Sequence, residues 1–191
     1  DGTIGGIIIS AQIITERSRM EEEWRLSEER FRSAMQNSPI GMGLVSPAGR
    51  WLDVNPALCK IIGYSQAELL AIDFQTITHP DDLNADMEFV RQMLARQIEG
   101  YELEKRYLHK DGRVIWIQLN VSLVWNPDGT PRYFVSQVQD ITERKQSEEA
   151  LRQSEKLIRE QYLELENFYR MTPVGLCVVD RDLRYVRINE R

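Results

Sequence analysis

Residues that carry chemistry are scarce in this chain. Among 191 residues there are two histidines, His79 and His109, and two cysteines, Cys59 and Cys177. General acid–base catalysis near neutral pH leans on imidazoles or paired, tuned carboxylates, and neither arrangement is present. There is no Ser/His/Asp set, no glycine-rich phosphate loop, no phosphoacceptor-histidine helix and no Gly-Gly-Asp-Glu-Phe segment, so this region is not expected to be an enzyme. The cysteines lack metal-ligand spacing and are expected to be reduced, buried thiols of a cytoplasmic protein. No metal site is expected: Asp81 and Asp82 fit the first turn of a helix, where acidic residues suit the macrodipole, and Asp86 adds no ligand pattern. Positive charge is also in deficit, with 24 Lys+Arg against 30 Asp+Glu. A net charge of −6 argues against nucleic acid as a partner. No apolar run nears the roughly 20 residues that span a bilayer, and no basic leader precedes Ile7-Ile-Ile9. Neither direct membrane contact nor secretion is therefore expected here, although a parent protein could be anchored through another segment.

Hydrophobic residues make up 42% of the chain and charged ones 28%, values that permit a packed core. The chain also repeats itself. Asp1-Gly-Thr…Ile14-Thr-Glu-Arg17…Glu21-Glu22 returns at an offset of 127 as Asp128-Gly-Thr…Ile141-Thr-Glu-Arg144…Glu148-Glu149, with ten of 22 positions identical. Pro39-Ile-Gly41…Leu44-Val45…Arg50…Asn55 returns at an offset of 134 as Pro173-Val-Gly175…Val178-Val179…Arg184…Asn189. Such a long period fits whole domains in tandem rather than solenoid units. The expectation is one complete copy, 37–142, between the last strand of a preceding copy, 1–14, and the first strands of a following one, 170–191, all excerpted from a longer protein. The connecting segments, 15–36 and 143–169, read as helical linkers. The offsets differ by 134 − 127 = 7 residues, one heptad, which returns an apolar stripe to the same side of a helix.

Within the complete copy, two short strands at 40–46 and 50–54 flank the turn Pro47-Ala-Gly49. Asn55 is placed as an N-cap before Pro56, in a short helix ending at Gly63. Ser65 and Glu68 form a capping-box pattern. A longer helix begins near His79-Pro-Asp81-Asp82, and its apolar face is read as Leu83, Met87, Val90 and Leu94. After Gly100 the period becomes two, with turns at Lys110-Asp-Gly112 and Asn126-Pro-Asp-Gly129 and a last strand at 132–141. The order β-β-α-α-α-β-β-β implies an α+β domain, a five-stranded antiparallel sheet with helices on one face.

That order resembles a PAS domain with its C-terminal PAC motif. So do Asn55-Pro-Ala-Leu-Cys-Lys-Ile-Ile-Gly63-Tyr-Ser-Gln-Ala-Glu68-Leu, His79-Pro-Asp-Asp82, Lys110-Asp-Gly112 and Asp140-Ile-Thr-Glu-Arg-Lys145. The resemblance covers residues 31–145. It implies a sensory or dimerising module of a bacterial signalling protein, typically a sensor histidine kinase of a two-component system or a cyclic-di-GMP enzyme, with its output domain elsewhere in the same chain.

The leading functional expectation is a regulatory module that forms a homodimer through coiled-coil-like linker helices and relays conformation along them. Their seam is read as Trp24, Phe31, Leu151, Ile158 and Leu165. The relay is expected where the last strand enters the linker, with Asp140 or Thr142 as helix cap and Thr15 as the counterpart of Thr142. One alternative is a sensor binding a small molecule or flavin; another is a structural spacer. No cofactor is predicted. The long helix offers no histidine for haem, and Cys59 lies off the helix where flavin-cysteinyl photosensors carry theirs. An interior cavity would be lined by Met42, Leu44, Leu58, Ile62, Phe74, Ile77, Val90, Leu103, Ile117 and Leu119. Polar groups there would come from Gln118, Asn120 and Gln137, whose facing depends on one register step. A further idea is pairing between chains of the orphan strands 4–14 and 174–180.

Overall fold

The computed structural model describes the backbone of residues 2–171, 173, 175 and 177–188, and the side chains of those from 19 to 186. Two compact units divide the chain, 1–142 and 143–191.

The first unit opens with helix α1, Gly2–Asn37. Residues 4–14, expected as a strand, belong to this helix. A strand must pass its N–H and C=O groups to a neighbour, and no described strand pairs with this segment; a helix satisfies them internally. The proposed inter-chain pairing of 4–14 with 174–180 thereby loses one of its strands.

Strands β1 (Gly41–Val45) and β2 (Trp51–Val54) follow, then helices α2 (Pro56–Ile62), α3 (Gln66–Ala71), α4 (Phe74–Ile77) and α5 (Pro80–Leu94). Strands β3 (Gly100–Leu108), β4 (Val114–Trp125) and β5 (Pro131–Asp140) complete an antiparallel sheet of order β2-β1-β5-β4-β3. The first strand thus lies beside the last. The local signals hold: Asn55 Oδ1 accepts from Leu58 N at 2.9 Å to cap α2, and Ser65 and Glu68 close a reciprocal capping box on α3.

Leu58, Ile62, Leu69, Ile77, Val90 and Met93 from the helices pack on Ile115, Ile117, Leu119 and Val138 of the sheet. The buried face of α5 is Asp86, Val90 and Met93 rather than Leu83, Met87, Val90 and Leu94. The helix thus turns the Asp86 carboxylate inward, with Leu83 and Met87 half-buried beside it. Edge strand β3 is partly closed against pairing. Arg106 N donates to Asp82 Oδ2 at 2.8 Å, and His79 N donates to Arg106 O at 3.0 Å.

Helix α6, Thr142–Met171, leads into the second unit and buries no side chain. A hairpin of β6 (Cys177–Val179) and β7 (Tyr185–Ile188) follows. Its register, Cys177↔Ile188, Val178↔Arg187 and Val179↔Tyr185, is that of Gly43↔Val54, Leu44↔Asp53 and Val45↔Trp51 moved by 134.

Candidate functional site

Between α5 and the sheet lies a buried ion pair. Asp86 of α5 and Lys105 of β3 meet in direct contact, each with a side chain 1% exposed. Lys105 Nζ also donates to Thr78 Oγ1 at 3.2 Å, and the Tyr101 hydroxyl donates to Asp86 Oδ1 at 2.7 Å. The ring faces of Tyr107, 4.6 Å from Nζ, and Phe74, 5.5 Å, wall the ammonium. Burial pulls the Lys105 pKa down, while the Asp86 carboxylate pulls it back up. Burial first, then the charge of Asp86, holds the Tyr101 phenol well above its ordinary range, so Tyr101 remains a donor. A single buried charge would be very costly here; the pair, with its hydroxyl and π partners, is tolerated.

Beside the pair is a cavity of about 30 Å³, lined among others by Trp51, Phe74, Tyr101, Tyr107 and Ser136. Trp51 Nε1 is buried there without a partner among the described residues. That volume is of the order of one water molecule, whereas sites for drug-sized ligands run to about 300–1,000 Å³.

Of the expected lining residues, Leu58, Ile62, Ile77, Val90, Ile117 and Leu119 are buried in the core, with Phe74 packed against it. Leu119, Val90 and Phe74 reach the cavity itself. Leu103 is half-buried. Met42 and Leu44 face the other way: β1 alternates so that Gly41, Gly43 and Val45 are buried. The reason is steric. A Cβ on Gly43 would lie 2.4 Å from the Trp51 ring and one on Gly41 3.0 Å from Leu58 Cδ1, so the glycines turn inward to admit those larger side chains. Gln118, Asn120 and Gln137 also lie on the outer face, opposite the buried Ile117, Leu119 and Val138.

At the exit of the sheet, Asp140 Oδ1 accepts from Thr142 N at 2.8 Å. The Thr142 hydroxyl, expected to cap its own helix, instead reaches β4: it accepts from Trp116 N at 3.0 Å and donates to Trp116 O at 3.4 Å. Ile141 N adds a bond to Trp116 O at 2.9 Å. The start of α6 is thus stitched to the neighbouring strand. Thr15 falls within α1, and its side chain lies outside the described residues. Trp24, Phe31, Leu151, Ile158 and Leu165 are all exposed on their helices.

Sequence reasoning missed Asp86, Lys105, Tyr101 and Trp51 as a group. A signal was present. Lys105 has the same strand parity as Tyr101 and Tyr107, and Asp86 falls four and seven residues before Val90 and Met93, so each charge sits on an apolar face.

A profile of the PAS fold matches residues 52–138. A probable diguanylate cyclase of Escherichia coli K12, DgcE, is 44% identical over 155 residues, 77% of this chain and 14% of that protein. The sensor histidine kinase TmoS of Ectopseudomonas mendocina is 30% identical over 153 residues, 76% of this chain and 15% of that protein. The chain therefore spans about a seventh of the length of these relatives. A solved sensory box histidine kinase/response regulator from Burkholderia thailandensis superposes with TM-score 0.54 at 31% identity, over 69% of this chain and 98% of that one.

Proposed function

The chain belongs to the PAS-fold family, and from that membership we propose that residues 37–142 relay conformational change between α1 and α6 in a multidomain signal-transduction protein. The stitched junction at Thr142 carries this reading. A helix whose first residue is bonded to Trp116, near the start of β4, is tied to any shift of that strand. Catalysis is assigned to an output domain of the same protein, a diguanylate cyclase in kind by the 44% relative, or a histidine kinase by the 30% one. A cytoplasmic setting goes with either output. No helix among the described residues is long and apolar enough to cross a membrane.

The exposed Leu151, Ile158 and Leu165, seven residues apart, support dimerisation of two copies along α6. The cavity of about 30 Å³ beside the ion pair, against about 300–1,000 Å³ for ligand sites in general, supports a relay over a ligand-filled interior. The domain is thus read as a relay before it is read as a flavin sensor.

Sedimentation velocity tests the dimer. The chain should be dimeric at micromolar concentration, and Ile158→Lys/Leu165→Lys should be monomeric; a dimer unaffected by both changes would place the contact off α6. Thr142→Val tests the junction. Loss of one hydroxyl bonded in both directions should speed amide exchange in the first turns of α6 roughly tenfold, about 1.4 kcal/mol. Unchanged exchange there would remove the junction from the relay.

A further inference from the structure

Asn55 does more than cap a helix. Its side chain, buried to 2% exposure, fills all four hydrogen-bonding positions of the amide. Oδ1 accepts from Leu58 N at 2.9 Å, the helix cap, and from Met42 N at 2.8 Å. Nδ2 donates to Met35 O and to Ile40 O, both at 2.9 Å. Asn55 N donates to Met42 O at 2.9 Å, so backbone and side chain together bracket Met42.

Capping alone does not call for this residue. Aspartate caps about as well as asparagine, and serine nearly so, but neither can donate two amide protons. An aspartate would instead set carboxylate oxygens against the carbonyls of Met35 and Ile40 in a buried site. The donors matter because of what they hold. Met35 belongs to the last turn of α1, and its own side chain is buried. Met42 pairs with Gln137 on β5, three residues before Asp140, whose carboxylate receives Thr142 N. One amide thus sits where the incoming helix, the central strand pair and the N-terminus of α2 meet. The same residue type recurs at Asn189, its counterpart at an offset of 134.

We infer that Asn55 is the positioning residue that clamps the end of α1 to β1 and α2, so that displacement of α1 is delivered to the strand pair from which α6 leaves. This deepens the relay reading and rests on it for the downstream step.

The test is amide hydrogen exchange on the whole chain with Asn55→Asp and Asn55→Ser. Both keep an acceptor for Leu58 N and lose the two donors; the serine variant avoids a buried charge if the aspartate one unfolds. The clamp predicts that amides of residues 33–37 lose protection at least tenfold while Leu58 N stays protected. Unchanged protection at 33–37 would overturn it. The start of α6, read at the amides of residues 145–149, which unlike those before them have acceptors within the helix, separates the two ideas. Loss of protection there, at a site Asn55 does not touch, supports the relay. Loss confined to 33–37 leaves the clamp standing and brings down the relay.

Discussion

The hairpins β1–β2 and β6–β7 share one register and even one turn, yet among the described residues only the first is packed under further elements. Ser46 N bonds Arg50 O at 2.8 Å, and Asp180 N bonds Arg184 O at 2.9 Å, 134 residues on. Gly49 takes φ 87°, and its counterpart Leu183 takes φ 62°. Val45 and Trp51 are nevertheless buried, whereas their counterparts Val179 and Tyr185 are exposed. Strand pairing and turn geometry are therefore written into about fifteen residues. Burial is not: it comes from α2–α5 and β3–β5, which follow the first hairpin and cover it.

The largest effect should come from what covers the first hairpin alone. Lys105→Met leaves Asp86 buried without its cation, and Asp86→Ala leaves the ammonium without its anion. Each should destabilise the domain by about 3–5 kcal/mol in denaturant titration. The double variant Asp86→Leu/Lys105→Met, which removes both charges, should recover most of that loss. Exchange in the 177–188 hairpin should be indifferent to all three. A double variant as unstable as the single ones would show that Thr78 and Tyr101, left without their partners, dominate instead.

A smaller effect should separate the hairpins at one equivalent position. Gly43 lies under Trp51, and the residue in its place in the second hairpin is Cys177. Gly43→Cys should cost about 1–3 kcal/mol, since the Trp51 ring must move within a packed interior. Cys177→Gly removes no buried contact, so its effect should stay within about 1 kcal/mol, the entropy of a strand glycine. Equal costs in the two hairpins would mean that position 43 is limited by strand propensity and not by the indole.

The same contrast explains what was legible beforehand. Asn55, Pro56, Gly63, Ser65 and Glu68 could be read from the sequence because caps and box are local chemistry among near neighbours. The first two strands were legible from the turn Pro47-Ala-Gly49, and the last three from the change of period after Gly100 and the Lys110-Asp-Gly and Asn126-Pro-Asp-Gly turns. The facing of β1 was not. Hydrophobic alternation favours Met42 and Leu44 as the inner residues, and only the arrival of Trp51 and Leu58 from other elements makes glycine the inward choice. Asp86 and Lys105 escaped for a related reason. Each is an error in a hydrophobic pattern when read alone, and the two make sense only once α5 is laid against β3. Residues 4–14 show the opposite limit: a β-branched run without a partner strand is found as helix.

The smallest effect concerns the turn itself, where the hairpins differ by one side chain. An L-residue other than glycine in the left-handed region brings its Cβ close to the carbonyl oxygen, at about 1 kcal/mol or more. Leu183 adopts that conformation although its side chain is 82% exposed and packs against little. Leu183→Gly should therefore strengthen the second hairpin by about 1 kcal/mol, read as slower exchange of Asp180 N and Leu183 N. The gain is reduced by the greater chain entropy glycine gives the unfolded state. Gly49→Leu should destabilise the first hairpin by more than that, because the Phe74 ring lies 3.2 Å from where its Cβ would be. If Leu183→Gly instead loosens the hairpin, the leucine side chain must be restricting the unfolded turn more than it strains the folded one.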